Sequence, residues 1–363
     1  EVWKTSKKKQ IKGEKRGRKK TPPSPPPKPV IDQHIIKERA IPIPTITEKE
    51  FESCNQENID MIKEFLRNNR QLSPETIDQY FICLRQFFWY IKNNARNKPY
   101  YKISKRDFIG YLSWMQERGL SSSAIKLRKA SVSSFCNYIE NVVADDLDEC
   151  KYFRNFTRGM PKVNKTQTYE KIPISKDEYN KIMSVLEERE NYLGMAWVST
   201  AYNIGGRRAE IVQLKTEILD YPVKEGRNYV VSHIVRGKGS GIEGKPLRYM
   251  IPLEVLDYWR LWINSRGYKS EWIFTTMNNG VVERLGKNWS TMFCHNTLSK
   301  ILGRRVYPHL FKTSCITRML EDGKDIKLVS KYIGHHEDVS TTLSWYDMRS
   351  FDDELDNLFD GLD

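Results

Sequence analysis

The sequence contains no C-x-x-C pair. Its six cysteines, Cys54, Cys83, Cys136, Cys150, Cys294 and Cys315, are scattered. That argues against a structural zinc site and against a disulfide framework. Reduced, mostly buried thiols acting as small hydrophobes are expected. No apolar run approaches the roughly 20 residues that span a bilayer, and no leader peptide is visible. A soluble, intracellular protein with no membrane partner is expected. The phosphate-loop pattern G-x-x-x-x-G-K-[ST] is missing, and there is no internal repeat. The first residue is Glu, not Met, which implies a fragment or a processed chain.

Acidic residues are scarce at the start. Residues 1–30 hold eleven Lys/Arg against Glu1 and Glu14, so they carry +9 of a net +14. Charge of this kind points to nucleic acid or an anionic surface. The run KKKQIKGEKRGRKK followed by TPPSPPPKP has almost no apolar residues, and residues 1–44 read as a disordered basic arm. A DNA-clinging arm, a nuclear import signal and a solubilising tail are all open readings of it. The remaining chain is ordinary globular material: 363 residues in all, 39 % hydrophobic and 12 % aromatic, enough for two or three cores.

Residues 45–145 carry a helical period. ENIDMIKEFLRNN aligns Ile59, Ile62, Phe65 and Leu66. The next segment starts with Ser73 as N-cap and Pro74 at the first helical position. A third begins at Ser104 and ends at Gly119, and a fourth is SSSAIKLRKASVSSFCNYIEN. This fourth segment offers Ser121, Ser122, Lys126, Arg128 and Lys129 to a phosphate backbone; a solvated face is the plain alternative. Residues 146–170 lose periodicity and read as a linker. Residues 171–349 open with a capping box, Ser175 and Glu178. They continue through two strands around a Gly-rich turn and are mainly helical from 253 on. The tail 350–363 is acidic, with Phe351, Leu355, Leu358, Phe359 and Leu362 near helical spacing.

Four short motifs carry chemistry. In YNIGGRRAEIVQL, Gly205 and Gly206 break a helix, Arg207 follows, and Glu210 is placed to hold its fork. In VRGKGSG, Lys238 stands between glycines at a hairpin tip. YPHLFKTSCI sets His309 and Lys312 three apart after a proline. IGHHEDVSTTLSWY supplies His335, His336 and Tyr346. Taken singly, each fits a surface ion pair, a turn lysine, a helix start or a packing aromatic.

In this order, the motifs resemble the tyrosine recombinase, or phage integrase, family (Xer/Cre/lambda-integrase-like). GGRRAEI looks like its G-x-R-x-x-E-[IL], GKG like its hairpin lysine, and IGHHEDVSTTLSWY like its L-G-H…S-T-T…Y block. The helical region before it resembles the family's core-binding domain, and the likeness spans about residues 45–350. The chain departs from the pattern twice. Lysine stands at 312 where the family has arginine, and the interval from His335 to Tyr346 is longer by a residue or two. His335 is preferred for the family histidine because it follows Gly334, with His336 as the alternative. Lys312 is natural and sufficient, or introduced, or the mark of a protein that only binds DNA; the first is favoured.

The resemblance implies a mainly α fold with a small antiparallel β-sheet. A helical, SAM-like core-binding domain and an α+β catalytic domain would form a C-shaped clamp on DNA. It implies DNA strand exchange for a mobile element through a 3′-phosphotyrosine and a Holliday junction, with no metal and no cofactor. Tyr346 would be the nucleophile. Arg207, Lys312, His309 and His335 would stabilise the phosphate, and Lys238 would protonate the leaving oxygen. Glu210 would orient Arg207, His336 would stand beside the site, and Arg208 would touch DNA. Partners would be double-stranded DNA with paired inverted-repeat core sites and further copies of the chain, a dimer on each site and a tetramer in synapsis through the C-terminal tail. The setting would be cytoplasmic, on nucleoid DNA, or nuclear in a eukaryote. A type IB topoisomerase, a telomere resolvase and a catalytically impaired DNA-binding regulator are the alternatives.

Overall fold

The computed structural model describes residues 40–160, 163, 170–239, 243–286 and 288–349. The basic run and the acidic tail both lie outside these residues. What is described is mainly helical, with three two-stranded antiparallel sheets.

The first unit contains α1 (Glu48–Glu52), α2 (Gln56–Asn68), α3 (Pro74–Asn94), α4 (Lys105–Glu117) and α5 (Ser122–Asn141). The caps are those the sequence predicts. Ser73 accepts from the Thr76 N–H with Pro74 at the helix start, and Ser104 and Asp107 form a capping box. The apolar stripes of these helices meet in an aromatic core. Phe65, Phe87, Phe88, Phe108 and Tyr111 are wholly enclosed, and Phe87 meets Phe88 and Tyr111 edge-on at 5.1 Å. Such tilted pairs suit the ring quadrupole.

The boundary expected at 145 is crossed by the packing. Cys150, Phe153 and Phe156 are buried in this same core, so the start of the expected linker belongs to the helical unit. Two aromatics in an irregular segment give no periodicity, yet each buries a large apolar area. Residues 164–169, the middle of that linker, lie outside the described residues.

The second unit is built around α7 (Tyr192–Ile204), which follows α6 (Lys176–Glu188). Every residue of α7 from Gly194 to Ile204 is buried, the mark of a helix enclosed on all sides. After α8 (Arg208–Ile211), β1 (Tyr229–Val231) pairs with β4 (Met250–Pro252), and inside that pair β2 (Val235–Gly237) pairs with β3 (Lys245–Leu247). The region is thus four short strands where the sequence reads as two. Helix α9 (Leu253–Ser265) packs on α7, with Trp259 Nε1 donating to Thr200 Oγ1 at 2.7 Å.

A further hairpin, β5 (Thr275–Asn278) with β6 (Val281–Arg284), interrupts the stretch expected to be helical. Then come α10 (Trp289–Phe293), α11 (Ser299–Leu302), α12 (Pro308–Glu321), α13 (Ile326–Leu328) and α14 (Val339–Trp345). Arg304 ties the entrance of the unit down. It pairs with Glu178 at 2.6 Å and donates to the carbonyls of Ile172 and Pro173.

All six cysteines are free and buried, as the scattered spacing predicts.

Candidate active site

Three breaks in helical structure assemble the site. Helix α7 ends at Gly205, whose φ of 61° is left-handed. A Cβ there would also come within 3.2 Å of Cys315 Sγ on α12, so glycine both turns the chain and lets the two helices approach. The chain then presents Arg207 as the cap residue of α8. Its guanidinium Nη1 donates to Glu210 Oε1 at 2.9 Å, and its peptide N–H donates to Glu210 Oε2 at 2.7 Å. Glu210 is buried. Burial alone would raise its carboxyl pKa, but Arg207 and a hydroxyl donor from Tyr249 hold it below the ordinary value. The donor is Tyr249 Oη, 2.5 Å from Glu210 Oε2.

The second element is α12. Pro308 takes its first position, where a missing N–H costs nothing. That start sets His309 at the rim and Lys312 one turn in. Lys312 is completely buried, and its Nζ donates to the Gly334 carbonyl at 2.8 Å. Desolvation first, then repulsion from Arg207, lowers its pKa to about 7.

The third is the turn closing the π-type stretch Val329–Gly334, where His335 adopts φ 52°. A non-glycine residue in that region is strained and marks a site whose surroundings enforce it. The His335 ring meets Tyr249 edge-on at 4.8 Å. His336 turns the other way. Its Nδ1 shares a hydrogen bond with Thr342 Oγ1 at 2.8 Å, and its ring lies 4.6 Å from that of Tyr346. The Nε2 atoms of both histidines are enclosed and have no hydrogen-bond partner among the described residues.

Tyr346 follows α14 and closes the pocket. It is buried, and its Oη lies 3.0 Å from His309 Nε2. Its backbone carbonyl accepts from Thr317 Oγ1 at 2.7 Å. Lys312 Nζ stands 6.0 Å from the centre of its ring. Desolvation raises the phenol pKa, while Arg207 opposes that rise.

The electrostatics have one direction. His309, His335 and His336 are each lowered to about 4, by loss of water and then by Lys312 together with Arg207. His309 keeps an exposed edge, yet loss of water is still the larger cause of its shift, with Lys312, Arg207 and Lys171 adding repulsion. A pocket that expels protons from three imidazoles and a lysine is one that an anion would relieve.

Arg207, Glu210, His309, Lys312, His335, His336 and Tyr346 therefore come together as the sequence suggests. Lys238 is not packed among them. It is exposed beyond β2, in a connection whose residues 240–242 lie outside the described set. On α5, Ser121 is occupied as the cap, accepting from the Ala124 N–H, and Ser122 is buried. Arg128 folds back onto Gln86 and the Ala124 carbonyl. Lys126 is the exposed member of that face, and Lys129 is half-buried. Arg208 is exposed and donates to Thr291 Oγ1 at 2.7 Å.

Two residues escape sequence reasoning. Tyr249 reads as an ordinary strand residue. Gln213 binds the Arg236 backbone at both its N–H and its carbonyl, anchoring the β2–β3 hairpin beside α8. Gln213 lies within the YNIGGRRAEIVQL stretch, but nothing there marks it as an anchor, and Tyr249 belongs to no motif, so the fold reveals both.

Known proteins resemble the chain in sequence and in fold. The model of the phage integrase family matches residues 173–352, and that of the phage integrase N-terminal SAM-like domain matches residues 59–141. The SPbeta prophage-derived recombinase-like protein YomM of Bacillus subtilis (strain 168) is 53 % identical over 330 residues, covering 91 % of this chain and 98 % of that protein. The tyrosine recombinase XerD of Oceanobacillus iheyensis is 23 % identical, covering 77 % of this chain and 89 % of its own. The fold is that of the Tn1549 transposon integrase in complex with transposon right end DNA. There the TM-score is 0.62 at 18 % identity, over 83 % of this chain and 99 % of that one. With this likeness along nearly its whole length, the chain belongs to the phage integrase family and is a tyrosine site-specific recombinase.

Proposed function

We propose that this protein cuts and rejoins double-stranded DNA at paired core sites of a mobile element, through a 3′-phosphotyrosine and a Holliday junction. The observation that carries the reading is Tyr346 Oη at 3.0 Å from His309 Nε2, in a pocket that holds the Arg207 guanidinium and a Lys312 amine charged below about pH 7.

The chemistry follows from the residues. Tyr346 Oη forms a bond to phosphorus as the bond to the 5′-oxygen breaks, and a phosphodiester becomes a phosphotyrosyl diester of similar energy. Religation therefore needs no nucleotide cofactor. His309 is neutral near pH 7 and within reach of the phenol, so it accepts the phenolic proton. Charge that builds on the nonbridging oxygens meets Arg207, oriented by Glu210, together with Lys312 and an N–H of His335. His336 holds the ring of the nucleophile. Lys238 delivers a proton to the departing 5′-oxygen when the hairpin bends over bound DNA. Lys126, Lys129 and Arg208 face the backbone of the duplex, and the tail beyond 349 joins protomers into dimers and a tetramer.

Covalent trapping tests the reading. The protein and a Tyr346→Phe variant are mixed with fragments of the source DNA and quenched in denaturant. The ends of protein-linked DNA are then sequenced. A 3′-linked adduct at a short inverted repeat, lost in the variant, is expected. Tight DNA binding without any adduct would leave a DNA-binding regulator instead. Relaxation of supercoiled DNA without a paired site would indicate a topoisomerase.

A further inference from the structure

Tyr249 connects two halves of the pocket that no motif links. It is all but completely enclosed. Its backbone is fixed on both sides by Ser232, whose Oγ accepts the Tyr249 N–H and whose N–H donates to the Tyr249 carbonyl, each at 2.9 Å. The side chain thus starts from a pinned point. Phenylalanine would fill the same space, so packing does not require the hydroxyl, and a buried phenol needs a partner. That partner is Glu210 Oε2, the oxygen that also receives the Arg207 peptide N–H. The edge of the same ring supports His335 at 4.8 Å.

We propose that Tyr249 is a positioning residue of DNA cleavage, holding with one side chain both the carboxylate that orients Arg207 and the ring of His335. Without the hydroxyl, Glu210 loses a donor and its carboxylate can rotate, and the Arg207 fork rotates with it. Without the ring, His335 loses the wall that fixes its plane. The inference rests on the function proposed above.

Its test compares the parent with Tyr249→Phe and Tyr249→Leu at saturating DNA. The Phe variant keeps the ring and loses the hydroxyl. Its single-turnover rate of adduct formation, read well below the melting range, should fall about tenfold, the scale of loss when the group behind an active-site ligand is removed, with DNA affinity unchanged and a small fall in Tm from the lost hydrogen bond. The Leu variant should fall further, and the acid limb of its pH–rate profile should move because His335 is released. A Phe variant cleaving at the parent rate would overturn the proposal. So would a rate loss that simply follows a drop in Tm. Orthovanadate affinity separates this inference from the reading beneath it. A parent forming no adduct sinks the recombinase reading, and equal vanadate affinity in parent and Phe variant would still count against Tyr249.

Discussion

Lys312 Nζ donates to the carbonyl oxygen of Gly334, 2.8 Å away, so the cation on α12 is locked to the turn that carries both histidines. Its pKa of about 7 lies below the ordinary lysine value. The charge is therefore present below pH 7 and lost above it. Affinity for orthovanadate should weaken from pH 7 to pH 9, by up to about tenfold per pH unit. A Lys312→Arg variant should stay flat, because guanidinium does not titrate there. Fluorescence titration at three pH values is enough; a parent curve as flat as the Arg curve would contradict the assignment.

The same depression has a stability signature of opposite sense. Burying a charged lysine costs stability wherever the unfolded chain is protonated, so the cost is full below pH 7 and fades toward the unfolded value of 10.5. Lys312→Met should gain relative to the parent as pH falls, by about 1.4 kcal/mol per pH unit between those limits. Urea midpoints read at pH 6, 8 and 10 would show it.

His309 Nε2 lies 3.0 Å from Tyr346 Oη, the nucleophile of the proposed mechanism. Its loss should slow adduct formation by roughly 10²–10⁴, the range for a positioned general base, while DNA affinity changes little. A His309→Gln variant retaining most of the cleavage rate would remove the base role.

Lys238 protonates the leaving group in the proposed mechanism. Lys238→Ala should then cut slowly, by roughly 10²–10⁴, and recover on DNA whose scissile 5′-oxygen is replaced by sulfur. A thiolate leaves without a proton. Equal slowing on both substrates would assign Lys238 to DNA binding.

A Cβ at Gly334 would stand 2.8 Å from His336 Nδ1. Gly334→Ala should therefore displace that ring from Tyr346 and disturb the carbonyl that Lys312 uses. A loss of cleavage with only a small fall in Tm is expected. Unchanged cleavage would show that His336 has room to move.

Caps and glycines made much of the fold legible. Ser73, Ser104, Ser175 and Pro308 each begin a helix where their local chemistry says they should, and Gly205 ends one. The Arg207–Glu210 pair was legible for the same reason, as both partners lie within one turn. What stayed hidden depends on long-range contact. Phe153 and Phe156 belong to the helical core without any period to announce it. The β5–β6 hairpin is four residues a strand, too short for alternation to stand out. Tyr249 and Glu210 are 39 positions apart, and nothing local marks the tyrosine. The neighbouring histidines 335 and 336 face different partners because His335 takes a left-handed turn, a backbone choice the residue type does not dictate.

The helix that leads into Tyr346 packs on little of the main core. Within α14 Thr342 is the buried residue, and beyond it Tyr346 joins a small cluster with Cys315, Ile316, Leu320, Val329 and Ile333, separate from the main core. The segment is tied down by a few polar contacts, His309 to the Tyr346 hydroxyl, Thr317 to its carbonyl and His336 to Thr342, and local openings require less free energy than global unfolding. Loss of cleavage need not therefore mean loss of the fold: a change confined to this segment can leave the larger core of the unit intact.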